Sequence, residues 1–274
     1  RKCLLCIRDM VMYCPIDADF SLGYSENENG TQYSQLKGWS DLFYKQGLHD
    51  NIIVWGYSLA VINYFIPLYN FGTFSAHYRF YEECGVHYID DQSYASSGIP
   101  CFEALQIYVQ SKLMYDTSLN YNDLAYDFID HYYGEAGGTF REYFDFFRAY
   151  YEYLAETQQI TGSIWQEMGK EEYWPTETVE LLIGYLDKCL EDIEPLKTQN
   201  PDRWQVLNDR IRRERLTPIY LMFTLHMNEL PKEKKLEYLA DMKYYTKKYE
   251  ILETRESARD IDTLLETWER QIGG

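Results

Sequence analysis

The 274 residues carry 44 acidic against 26 basic side chains, a formal net charge of −18. That balance leaves no basic face of the kind nucleic-acid binding needs, so nucleic acid is set aside as a partner. No run reaches the roughly 18 apolar residues of a membrane span, and the most apolar stretch, 59–71, is broken by Asn63, Pro67 and Asn70.

In chain order, the first element is an apolar run ending in polar residues, Val11-Met12-Tyr13-Cys14-Pro15-Ile16-Asp17-Ala18-Asp19. Its length and its Val, Ile and Tyr content predict a buried strand. A helix is expected over Gln35–Lys45, then a second strand over Ile52–Tyr57. A helix over Phe74–Cys84 stops at Gly85, a residue suited to a left-handed helix end. The third strand is Val86–Gln92, and Pro100 opens a helix over Cys101–Tyr115. The alternation of strand and helix predicts parallel strands joined by helical crossovers.

Composition shifts near Asp116. Beyond it the sequence reads as helix throughout: Tyr121–Tyr133, capped in front by Asn120 or Asn122 and behind by Gly134, then about 139–157, 176–197, 201–229, 231–249 and 257–272. Pro175, Pro195, Pro201 and Pro231 punctuate these segments, and Pro218 falls inside the longest. The expected division is therefore 1–116 and 117–274. The 28 tyrosines suit stacking on sugar rings, but aromatics cover most of the surface of the helix through Phe140–Tyr151, which points to packing between helices.

Ligands in open α/β folds sit at the carboxyl ends of the strands, where Asp17, Asp19, Asp90 and Asp91 fall. Asp17 and Asp19 share a face if the first strand reaches them. Of the adjacent Asp90 and Asp91, only one enters a strand-end cleft. Closely held carboxylates raise one another's pKa, the arrangement that glycoside hydrolysis uses. Trp55, Tyr57 and Tyr94 stand at or beyond the same strand ends as a candidate stacking platform. The acidic, aromatic stretch around Glu167, Glu171 and Glu172 is either a solvated connector or a loop reaching over a neighbouring site. Six cysteines are scattered, and Cys3 with Cys6 lacks the further ligands a zinc site needs. No nucleophile elbow, phosphate loop, dinucleotide fingerprint or HExxH is present, so no metal or cofactor is expected.

Several phrases carry a likeness to a known family: Met12–Asp17, Trp39-Ser40 with Ile53–Tyr57, Gly85–Gln92 leading into Ala104–Asp116, and Asp123–Gly134. Over about 11–158 the chain resembles an uncharacterised family, a domain of unknown function related to glycoside hydrolases. That family is similar to the α-glucuronidases of glycoside hydrolase family 67 and to hexosaminidase-type barrels. The resemblance implies an α/β plus all-α protein: the last three β/α units of a TIM-type (β/α)8 barrel followed by an α-helical bundle. It implies Asp17 and Asp91 as catalytic carboxylates, with Gln92 beside them. Trp55, Tyr57, Gln92, Tyr94, Asp19 and Asp90 are the expected substrate contacts. Gly56 departs from the acidic residue this family tends to carry between the Trp and the Tyr. The implied ligand is a carbohydrate, and the implied parent protein lies outside the cytoplasm. The open barrel edge is expected to meet a missing amino-terminal half or a second copy. The competing expectation is a non-catalytic glycan-binding or helical scaffold domain.

Overall fold

The computed structural model describes residues 10–48, 51–93 and 98–273. Three short strands, β1 (Val11–Tyr13), β2 (Ile52–Tyr57) and β3 (Val86–Gln92), form one parallel sheet in the order β1-β2-β3. Helices α1 (Gly30–Lys45) and α2 (Phe74–Glu83) connect them. Among the described residues the sheet has three parallel strands and is open, so the three strands of the sequence reading are present while a TIM barrel is not shown. β1 also ends six residues earlier than expected. Pro15 has no N–H to give a ladder, and the chain turns there, with Ile16 N–H donating to Cys14 O and Ala18 N–H to Pro15 O. Asp17 and Asp19 are thus loop residues, not neighbours on one strand face.

The helical part consists of α3 (Glu103–Tyr115), α4 (Tyr121–Tyr133), α5 (Gly137–Gln158), α6 (Thr176–Ile193), the short α7 (Leu196–Gln199), α8 (Pro201–His226), α9 (Lys232–Lys248) and α10 (Ile261–Gly273). Asn120 caps α4 by accepting from the N–H of Asn122 (2.8 Å) and Asp123 (3.3 Å), and Gly134 closes it at a φ of 54°. α8 runs through Pro218 without interruption. α10 starts at Ile261 rather than Ser257, because Ser257 and Arg259 hold left-handed backbone, φ 59° and 44°.

Two apolar cores meet. The larger is helical and is organised by α5, whose Phe140, Tyr143, Phe144, Phe147 and Tyr151 are all fully buried. Phe71, Phe102 and Trp174 pack against this stripe with ring centroids 5.5–6.3 Å apart. The period of 3.6 places residues 140, 143, 144, 147 and 151 on one side of the helix. The smaller core lies between the sheet and α1 and α2, built on Tyr13, Ile52, Val54, Leu36, Phe43 and Phe80. α3, which the sequence groups with the strands, packs in the larger core through Leu105, Val109 and Leu113.

Within the larger core, Glu214 ties α8 to the start of α3 and to α4. From α8, fully buried, it accepts from the N–H of Phe102 (2.9 Å) and the hydroxyl of Tyr133 (2.9 Å). Phe102 precedes α3 in left-handed backbone and has no side-chain cap of its own. Glu214 therefore supplies an acceptor to the otherwise uncapped amino terminus of α3. Beside it, Arg213 pairs with Glu103 and donates to Ile99 O (2.7 Å).

Candidate functional site at the strand ends

Register decides which side chains face which way. Tyr13, Val54 and Ile89 pair across the sheet, and Gly56 pairs with Asp91. These residues share the face covered by α1 and α2. Tyr13 donates from its hydroxyl to Gln32 O in α1 (3.1 Å). Asp91 accepts from the hydroxyl of Tyr78 in α2 and from Gln110 Nε2 in α3 (3.1 Å). Burial pushes the Asp91 carboxyl up to about 6, with the Tyr78 hydrogen bond opposing and the Asp90 charge adding to the rise. Its Oδ1 lies over Gly56, where any Cβ would collide with it. The glycine that departs from the family pattern is thus the space in which Asp91 sits.

The other face carries Met12, Ile53, Trp55, Tyr57, Tyr88, Asp90 and Gln92. Near its amino end it is bare: Met12 is 51% and Tyr88 54% exposed, and Asp90 is also open to solvent. At the carboxyl end, loops roof it. Tyr57 is buried there against Phe20. Trp55 Nε1–H donates to Gln92 Oε1 (3.0 Å), Gln92 Nε2–H donates to Glu256 Oε1 (3.3 Å), and Ser58 N–H holds Gln92 O (3.1 Å).

The roof comes from three places in the sequence. Residues 58–64 follow β2, residues 159–169 follow α5, and residues 250–260 join α9 to α10. They are stitched by backbone bonds: Val61 N–H to Ile164 O (3.2 Å), Glu256 N–H to Val61 O (2.8 Å) and Tyr64 N–H to Thr254 O (2.7 Å). Asp19 serves this stitching. It accepts from Gly162 N–H (2.6 Å) and from Ser21 N–H (3.0 Å), while Asn29 accepts from its own N–H (2.8 Å). A cleft of about 470 Å³ opens between the loops, lined by Val61, Ile62, Trp165, Glu167, Arg255 and Glu256. Trp165 is half exposed at its wall. The cleft thus offers an apolar floor, one indole, two carboxylates and a guanidinium, a set suited to a polar ligand with an apolar face.

The structure brings Trp55, Tyr57 and Gln92 together under this roof. It leaves Asp17 exposed in the turn after β1 and Asp90 on the bare face, and turns Asp91 away toward the helices. Tyr94 lies outside the described residues, as do Cys3 and Cys6. Glu167 does reach the cleft, whereas Glu171 and Glu172 do not line it. Glu256 and Trp165 escaped the sequence reading, because Glu256 is 164 residues from Gln92 and no local pattern marks either. The charge of Glu256 is felt by Tyr57 and by Tyr64, whose phenol burial and that charge push up to about 12. Among the described residues, no group of three or more His, Cys, Asp or Glu is placed to hold a metal ion, and no helix is long and apolar enough to cross a membrane.

Fold and site define a mixed protein: a parallel three-stranded segment joined to a helical bundle, with a cleft at the strand carboxyl ends. Residues 8–145 match the family described as a domain of unknown function, DUF4838, and the chain belongs to it. The match takes in β1 to β3 and α1 to α4 and ends within α5. No curated protein and no solved structure matches the chain.

Proposed function

We propose that the protein is carbohydrate-active and related to glycoside hydrolases, with its ligand held in the strand-end cleft. The observation that carries this reading is the cleft itself: aromatic Trp165 and the carboxylates Glu167 and Glu256 line it together, and Glu256 meets Gln92 at the carboxyl end of β3. An indole face packs on the C–H surface of a sugar ring, and carboxylates accept its hydroxyls. In this reading Trp55 and Tyr57 shape the floor. Asp17 and Asp90 are the strand-end carboxylates open to a substrate, and Asp91 braces β3 from behind. The bare face through Met12 and Tyr88 then receives further barrel strands or a second copy of this chain. Paired-carboxylate hydrolysis follows if two of these groups flank a bound glycosidic bond.

A second reading, a glycan-binding domain without turnover, is favoured by the engagement of Asp91 with Tyr78 and Gln110 in place of the cleft. Turnover on a panel of aryl glycosides, together with binding to an oligosaccharide array, separates the two. Hydrolysis abolished by Asp17→Asn or Asp90→Asn supports the hydrolase. Binding without hydrolysis supports the glycan-binding domain. A protein that neither binds nor cleaves any member of either panel overturns both.

A further inference from the structure

We infer that Glu256 is a ligand-contacting residue of the strand-end cleft, that its ligand is a polyhydroxylated saccharide, and that Gln92 and Trp55 position it. The inference rests on the carbohydrate reading above and goes beyond it by giving Gln92 and Trp55, in the matched family region, the positioning of Glu256, which lies outside that region.

Three observations lead there. The first is the relay. Trp55 Nε1–H donates to Gln92 Oε1 (3.0 Å) and so fixes which way the amide points, leaving Nε2–H to donate to Glu256 Oε1 (3.3 Å). The Gln92 backbone is itself clamped by Ser58, whose N–H and hydroxyl both donate to Gln92 O (3.1 and 3.2 Å). The Glu256 carboxylate is exposed on the cleft wall, and among the described residues only Gln92 donates to its side chain. Its second oxygen is open to accept from ligand hydroxyls, and charge-assisted bonds of this kind are the stronger ones.

The second observation is the backbone of the loop. Five non-glycine residues have positive φ among the described residues, and three of them, Glu250 (52°), Ser257 (59°) and Arg259 (44°), lie in this one loop. Such conformations persist only where the surroundings over-determine them, and they gather at binding sites. Here the surroundings are explicit. Thr254 N–H and hydroxyl donate to the two oxygens of Asp260 (2.8 and 2.7 Å), and Tyr64 N–H and Val61 O hold Thr254 and Glu256 from the other side. The third is the company Glu256 keeps: half-exposed Trp165 lines the same cleft and offers an apolar face on which a sugar ring can stack.

The test is saccharide affinity of the full chain on an oligosaccharide array, followed by titration of the best binder into wild type, Glu256→Gln, Gln92→Ala and the double variant. Glu256→Gln is expected to weaken binding at least tenfold and Gln92→Ala about threefold. The double variant is expected to be no weaker than Glu256→Gln alone, because a positioning residue has nothing left to position. Thermal melting of each variant separates loss of contact from loss of fold, since Glu256 is exposed and its conservative amide leaves the packing intact. Undiminished binding by Glu256→Gln, with wild type binding normally, overturns this assignment while leaving the carbohydrate reading standing. Additive losses in the double variant overturn the positioning role of Gln92. A wild type that binds no saccharide overturns the carbohydrate reading and the assignment together.

Discussion

The helical part and the strand-bearing part solve the same problem differently. In the helical part every face of the central α5 stripe is matched, with Phe140, Tyr143, Phe144, Phe147 and Tyr151 enclosed by aromatic neighbours. The sheet is matched on one face only. Ile52 and Val54 are buried under α1 and α2, while Met12 and Tyr88 stand more than half exposed on the other. Such a difference means that most of the burial free energy of the chain is helical. The sheet holds its strand ends in place because loops of the helical part reach over them. A cleft assembled this way inherits its rigidity from a region that contributes little of its floor.

The sharpest way to break the comparison is to truncate the helical core. Phe147→Ala removes a fully buried ring in contact with Tyr151 and Trp174 and is expected to cost about 3–5 kcal/mol, read by urea unfolding. A loss under 1 kcal/mol would mean that the helical stripe is not the centre of stability.

Gly56→Ala is the matching change on the sheet. Its Cβ would strike Asp91 Oδ1, and a cost of about 1–3 kcal/mol is expected from forced overpacking. Combining it with Asp91→Ala should recover part of that loss, and simple additivity of the two changes in denaturant titrations would refute the contact.

The helical core also holds a titrating group, where α8 meets α3 and α4. Burial pushes the Glu214 carboxyl up to about 7 from 4.5, against the opposing hydrogen bonds from Phe102 and Tyr133 and the nearby Arg213 charge. The folded state therefore holds this proton more tightly than the unfolded state does. Stability from this group is full below about pH 4.5, falls as the pH rises toward 7, and stays lower above it. Glu103, Cys101 and Tyr143 surround the same site and remain in any variant. Glu214→Gln should thus gain on wild type as the pH is raised from 5 to 8, measured by denaturant midpoints at each pH. A difference constant across that range contradicts the assignment.

The smallest effect is expected on the bare face. Tyr88→Ser should change the stability of this chain by no more than about 0.5 kcal/mol, because the ring is already 54% exposed. A larger loss that grows with protein concentration would mean that a second copy covers this face in solution.

Much of this was legible along the chain. The bounds of β2, β3 and α4 are those the residue patterns predict, and most other helices agree within a few residues, because period, caps and prolines are local signals. Asp17 and Asp19 share a strand face only if the first strand reaches them; the three-residue ladder ends at Tyr13, ahead of Pro15, and ladder length depends on the partner strand. The choice between Asp90 and Asp91 was equally invisible. Alternation says that they face opposite ways, but only the packing of α2 and α3 says which way is inside.

The sequence by itself determined most of the elements, their order and the parallel sheet. Tertiary structure alone decided that Asp91 is turned toward Tyr78, that Gly56 is its socket, that Glu214 caps a helix 112 residues away, and that Glu256 arrives beside Gln92. Local propensity acts over a few residues. The direction a side chain faces and the company it keeps are set by which surfaces must be buried together, and that is a property of the whole fold.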